Sequence, residues 1–366
     1  MFKKLTAAFV TAVMLISTVT VMADTKKYDY IALGDSIAAG YGLSDPTVRA
    51  YPALFANTNG LSMVNYGVNG KTSQQLLDEI KNGEYDLSGA KVITVSIGSN
   101  DIMKPMIKTL AKSLGVDPDS ETLDEDIVSR IEYLKTHESV SALKRRVNNM
   151  EAAITNNEEY FNICDNVSKN NLPLIAQEIK KQNKDAQIII TNFYNPFKNK
   201  SLVVPMGNSS TAEYAVGEVI QPYIDRLNNG IAQSEDYKVA DVYKNFTKSS
   251  YVNAQIDLRK SDVSFDPHPN EMGHRAIFLA VNEVFEPLTE EFLFGDANGD
   301  GQLDASDAAD TMQKVLKESY VLGIEKKTDD WKKYLDVDLS GSVDASDAVD
   351  IMQKVLKDSY MFKAEK

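Results

Sequence analysis

The sequence predicts an α/β fold: a five-stranded parallel sheet in three α/β/α layers, followed by a small all-α domain of two repeats. Two observations carry this. Short apolar, β-rich runs alternate with amphipathic helical stretches through the first 285 residues, the rhythm of a sheet covered on both faces. Then DASDAADTMQKVLKESY, at residues 304–320, returns at residues 344–360 as DASDAVDIMQKVLKDSY.

Residues 1–23 have the plan of a secretory leader. Lys3 and Lys4 form a basic start, residues 5–16 an apolar run, and Val21, Met22 and Ala23 the exit, with cleavage expected after Ala23. The apolar run is short beside the roughly 20 residues of a spanning helix, and no later run is long enough. A net charge of −14 argues against a nucleic-acid partner, which calls for a basic face. Cys164 is the single cysteine, so the chain has no intramolecular disulfide. For a secreted chain this implies a fold held by packing and metal, or a reducing habitat. Cys164 lies in the helical stretch EEYFNICDNV without a nucleophile motif and reads as a buried small hydrophobe.

The strand signals fall at residues 28–33 (YDYIAL), 62–66 (SMVNY), 91–97 (KVITVSI), 187–192 (QIIITN) and 238–243 (KVADVY). Helical patterns at 73–81, 102–181 and 212–232 separate them. In such sheets the chemistry gathers at the carboxyl ends of the strands. Segment 103–171 exceeds what one crossover needs and reads as a helical elaboration walling one side of the site; His137 in it reads as a surface residue. The expected division is a leader over 1–23, an α/β domain over 24–287, a short linker over 288–293 and the repeat domain over 294–366.

Four of the five strand signals are followed by a polar block. The first runs into Gly34, Asp35 and Ser36, where glycine permits a tight turn and a helix start aims backbone N–H groups at the serine. The second leads to NYGVNGKTS with Gly70, the third to IGSNDIM with Asn100, and the fifth to SFDPHPNEMGH with Asp266, His268 and His274. Alone, GDS is a weak signal, because a serine in such a turn is more often just a helix N-cap. The four blocks in this order resemble the SGNH, or GDSL-type, hydrolases over roughly residues 28–285, which implies a flavodoxin-like arrangement of the sheet. The resemblance implies Ser36 as nucleophile, His268 as its base, and the backbone N–H groups of Ser36 and Gly70 with the Asn100 amide as an oxyanion hole. His274 is the rival base and reads as a packing or surface residue. The family's acid usually stands three residues before its histidine. Here that position is Phe265, whose carbonyl is the alternative orienting group to Asp266, two residues before. Asp266 is preferred, because a carboxylate stabilises imidazolium better. Asp35 and Asp101 read as loop-holding groups.

The repeats answer to a different chemistry. Asp296, Asn298, Asp300, Asp304 and Asp307 occupy positions 1, 3, 5, 9 and 12 of a loop with Gly301 at position 6 and the Gln302 carbonyl at 7. Asp336, Asp338, Ser340, Asp344 and Asp347 repeat the pattern with Gly341 and the Ser342 carbonyl. This is the oxygen-ligand rhythm of an EF-hand calcium loop. Asp instead of Glu at position 12, and no helix before either loop, resemble dockerin modules over residues 294–362. That resemblance implies two Ca²⁺ sites and a cohesin domain of a scaffold protein as partner. Ala305, Ser306, Lys317, Ala345, Ser346 and Lys357 are the contact candidates, and Met312, Val315, Leu316, Met352, Val355 and Leu356 are expected to pack the helices together. Together the two resemblances imply a secreted, scaffold-borne serine esterase, with acetylated xylan or pectin as the substrate that dockerin-bearing enzymes suggest and no catalytic cofactor. The alternatives are a lysophospholipase- or thioesterase-like enzyme of broad acyl range, or a scaffold-bound, non-catalytic binding component.

Overall fold

All five strand signals become strands of one parallel sheet. They are β1 (Tyr30–Gly34), β2 (Met63–Gly67), β3 (Val92–Ser96), β4 (Gln187–Thr191) and, after a hairpin of β5 (Leu202–Pro205) and β6 (Thr211–Tyr214), β7 (Lys238–Ala240). The order is β2-β1-β3-β4-β7. The chain leaves β1 in one direction for β2 and then returns to β1's other side for β3, so the order reverses there, the usual place for a ligand crevice. This computed structural model describes residues 27–205, 211–231, 237–257, 259, 264, 266–288, 292–357 and 359–365. The expected leader, part of the expected linker and Phe265 lie outside the described residues. The chain divides into two compact units between Glu286 and Pro287.

Side-chain alternation along the strands separates two cores. Ile31, Leu33, Ile93, Val95, Ile188 and Ile190 pack with the helices Ser73–Lys81, Leu172–Gln182 and Val216–Ile231. On the other face Tyr30 meets Phe55 edge-on, and its hydroxyl shares the buried Thr94 hydroxyl at 2.7 Å. Each fully buried Ile or Leu contributes about 1.5–3 kcal/mol, so both faces are fixed by many small terms.

Segment 103–171 is helical as expected. It continues the helix Ser99–Leu114, which contains Pro105, through Leu123–His137, Val140–Ile154 and Glu158–Asp165 to a π-helical turn, Asn166–Asn171. His137 is exposed and stacks on Tyr133. Cys164 is buried, and burial pushes its thiol up to about 12. The sequence reading differs at the hairpin. Residues 212–214, expected to be helical, pair antiparallel with β5, and the helix starts only at Val216. A four-residue strand is too short to display a period.

In the second unit the helices Ala305–Leu316 and Ala345–Leu356 pack against each other. Tyr320 and Tyr360 donate to Asp310 and Asp350 at 2.8 and 2.7 Å, matching bonds in the two copies. Leu316 and Leu356 do not join this packing: they are 79% and 78% exposed. Each is the last residue of its helix, and the buried side chains are Ala308, Thr311, Ala348 and Ile351, further back along each helix. Among the described residues no helix is long and apolar enough to cross a membrane.

Candidate functional site

At the end of β1 a Cβ on Gly34 would run into the Ser96 carbonyl oxygen, so only glycine allows the chain to turn beside β3. Asp35 then caps the short helix Ser36–Ala39 by accepting from the Ile37 N–H at 2.9 Å. This places Ser36 with its Oγ 2.8 Å from His268 Nε2. His268 Nδ1 lies 2.5 Å from Asp266 Oδ1, which also accepts the His268 backbone N–H at 3.0 Å. With Pro267 alone between them, the carboxylate folds back to meet ring and backbone together. Burial works to raise the Asp266 pKa, yet the two hydrogen bonds from His268 and one from the Asn253 amide hold it below the ordinary value. The Tyr194 hydroxyl donates to the Pro267 carbonyl at 2.9 Å, and the Tyr41 ring sits 4.5 Å from the imidazole. His274 is fully buried instead: its Nδ1 accepts the Tyr51 N–H at 3.3 Å, and burial pulls its pKa down to about 4. It is a core residue.

The blocks after β2 and β3 converge on the same edge. Gly70 takes a φ of +77°, the left-handed region that glycine favours, and its carbonyl accepts from Lys104 Nζ at 2.7 Å. Among the described residues the backbone N–H groups of Ser36 and Gly70 have no acceptor. Asn100 Nδ2 donates to the Lys71 carbonyl at 3.0 Å and lies 3.4 Å from Asp35 Oδ2. Asp35 is fully buried, and burial raises its pKa to about 6 against the opposing hydrogen bonds from Ile37 and the Ser99 hydroxyl. Asp101 accepts from the Ser73 N–H and Oγ at 2.8 and 2.7 Å, and Asn171 donates to the same Oγ at 2.8 Å. That clamp ties the loops after β2 and β3 to the π-helical turn.

Sequence reasoning did not single out Lys71, Asn253, Tyr41 or Tyr194. Lys71 is buried and bonds Glu79 at 2.5 Å and the Tyr85 hydroxyl at 2.7 Å, which pins the Gly70 loop from beneath. A lysine next to a motif glycine carries no sign of burial in the sequence.

In the second unit, ligand oxygens of Asp336, Asp338 and Asp347 lie within 4.8 Å of one another. Asp347 and Asp307 are fully buried, and burial, reinforced by the neighbouring aspartates, raises both pKa values. In the first loop Asp296 accepts the N–H groups of Gly299 and Gly301 at 2.7 and 2.9 Å, Asn298 that of Asp300 at 2.8 Å, and Asp300 that of Gln302 at 2.8 Å. Ser340 Oγ donates to the Ser342 carbonyl at 3.1 Å. Asp304 and Asp344 cap the two helices, each in a capping box with the aspartate three residues on. Gly301 and Gly341 have φ of +81° and +94°. Buried, mutually repelling carboxylates in an all-oxygen donor set fit a hard divalent cation. Ala305, Ser306, Ala345, Ser346, Lys317 and Lys357 are all exposed.

Comparison with known families matches residues 32–276 to the GDSL-like Lipase/Acylhydrolase family and residues 294–356 to the Dockerin type I domain. No curated protein matches the chain. Similar solved structures include a lipase from a goat rumen metagenome (17% identity, 69% of this chain and 95% of that one, TM-score 0.41). A phospholipase A1 from Streptomyces albidoflavus is also 17% identical, over 70% of this chain and 99% of that one, with a TM-score of 0.42. A psychrotrophic esterase from Pseudoalteromonas is 14% identical over 69% of this chain and 94% of that one, with a TM-score of 0.34. The chain belongs to the GDSL-like lipase/acylhydrolase family and carries a C-terminal type I dockerin domain.

Proposed function

We propose that the chain is a secreted serine ester hydrolase, with a leader over 1–23, the hydrolase over 24–287, a short linker over 288–293 and a dockerin over 294–366 that seats it on a cohesin-bearing scaffold. The observation that carries the chemistry is the line Ser36 Oγ, His268, Asp266, with both hydrogen bonds formed. Nε2 faces the serine hydroxyl as acceptor while Nδ1–H donates to the carboxylate, the tautomer that a general base requires. As Ser36 Oγ bonds to the ester carbonyl carbon, its proton passes to His268 Nε2, and Asp266 stabilises the imidazolium. The carbonyl oxygen takes the electron pair, and the N–H groups of Ser36 and Gly70 with the Asn100 amide stabilise that charge. Collapse breaks the bond to the alcohol oxygen, which leaves with the histidine's proton. Water repeats the sequence on the acyl-serine, giving a carboxylic acid and free Ser36.

Calcium belongs to the second unit. Asp296, Asn298, Asp300, the Gln302 carbonyl, Asp304 and Asp307 would hold one ion, and Asp336, Asp338, Ser340, the Ser342 carbonyl, Asp344 and Asp347 the other, balancing the aspartate charge and adding to folding. Ala305, Ser306, Lys317 and their counterparts Ala345, Ser346 and Lys357 offer two similar faces to the cohesin. Scaffold attachment raises the local enzyme concentration at a shared substrate.

Two substrate readings stand. The dockerin supports deacetylation of xylan or pectin; the size of the cavity at Ser36 supports the broad-acyl alternative. Acetate release from acetylated xylan and pectin, alongside short- and long-chain p-nitrophenyl esters, tests both. Loss of all turnover in Ser36→Ala supports the serine mechanism, and no turnover by the wild type on any ester would leave the non-catalytic binding component.

A further inference from the structure

The hydrolase mechanism leaves segment 103–171 without a task, and the space beside Ser36 supplies one. The cavity that opens at Ser36 and His268 does not close around two carbons. It continues to a volume of about 1650 Å³, beyond the roughly 300–1,000 Å³ of a pocket for a drug-sized ligand. Its lining includes the inserted helices and the helix that follows the β5–β6 hairpin. Ile107 and Leu110 come from Ser99–Leu114, Val147 and Met150 from Val140–Ile154, and Ile220 from Val216–Ile231 facing them. These side chains border a buried cluster yet are themselves only partly buried. Their free surface is turned to a cavity, where water gains little and an apolar guest gains much.

Which half of the ester enters follows from the order of events. The acyl group stays covalently on Ser36 through both half-reactions, whereas the alcohol leaves after the first. A group held inside for the whole cycle suits the deep side, and a group that must depart suits the open side, where Tyr41 is 49% exposed over His268. Resting on the hydrolase reading, we infer that the inserted helices form an acyl chamber and that the enzyme's substrates are esters of long, extended apolar acyl groups. The chamber's named determinants are Ile107, Leu110, Val147, Met150 and Ile220. An acetyl group would touch none of them.

The test is a series of p-nitrophenyl esters from acetate to dodecanoate on the full chain with calcium, and a matching series of alkyl acetates in which only the alcohol grows. The expected result is kcat/KM rising roughly three- to four-fold per acyl methylene, the worth of one buried CH₂, until the chamber is full, with decanoate at least about 100-fold better than acetate. The alkyl acetates should show no such rise. Ile107→Trp and Val147→Trp, each filling the chamber from a different helix, should lower the decanoate-to-acetate ratio by roughly ten-fold or more. If neither variant folds, the wild-type series decides alone. Acetate as the best acyl group, or a rise confined to the alkyl acetates, overturns the chamber and leaves the serine mechanism standing. Silence on every ester overturns both.

Discussion

Replacing Asp266 by Asn tests what orients the histidine. In the structure one carboxylate oxygen takes two N–H groups of His268, ring and backbone, and the other takes the Asn253 amide. The amide of the Asp266→Asn variant could still accept at its one oxygen, but its NH₂ could equally turn toward Nδ1 and stabilise the tautomer with its proton on the wrong nitrogen. A lost charge-assisted hydrogen bond costs about 1.5–3 kcal/mol, or roughly 10- to 150-fold in rate. A tautomer switch adds to that, toward the ~10⁴-fold seen when a buried triad aspartate is amidated. Asp266 is less enclosed, its side chain 29% exposed, and water can share its work, so the expected loss in kcat/KM on p-nitrophenyl acetate is about 10²–10³. The assay needs a thermal melt of both proteins to show that the fold is kept, and a Ser36→Ala blank. A loss under about three-fold would refute the reasoning and pass the orienting role to the carbonyl of Phe265.

Three further outcomes follow from the geometry. Asn100→Ala should lower kcat by about 10²–10³ with little change in KM, because the amide acts on charge that develops only in the transition state; an equal loss carried by KM would contradict this. Asp35 ionises near 6 in the folded chain but near 3.8 when exposed, so between those values the unfolded state releases a proton that the folded state keeps, and stability falls as pH rises. Asp35→Asn should remove that slope, worth about 2 kcal/mol between pH 4.5 and 7.5, while losing activity through the untethered Ser99 and Asn100; melts at those two pH values check it. Chelating calcium should change the emission of Trp331, which is the only tryptophan and packs in the second unit, and Asp347→Ala should weaken the calcium response without altering hydrolysis of small esters.

What the sequence could convey depended on how local the signal was. The five sheet strands were legible because each is a run of β-rich residues bounded by polar blocks, and the residues placed after them met at one edge because parallel topology sends every strand the same way. The β5–β6 hairpin was not legible, since its second strand, TAEY, alternates polar and apolar over four residues only, too few to set it apart from the helix that follows. Leu316 and Leu356 misled for a related reason: helical spacing tells which residues share a face but not where the neighbouring helix ends. Tyr41 and Asn253 act on residues more than 200 and 13 positions away, and Lys71 is distinguished only by its burial. Contacts of that kind come into being with the tertiary fold.

Pro105 separates two duties within one helix. A proline has no N–H, so the carbonyl of Asp101 receives no bond from position 105, and one rung of the ladder is missing after the first turn of Ser99–Leu114. That turn carries Asn100 and is held from outside, by the grip of the Asp101 carboxylate on Ser73. Beyond the proline lie Ile107 and Leu110. The two ends of one helix therefore answer to different neighbours, the amide end to Ser73 and the distal length to the helix Val140–Ile154 packed against it.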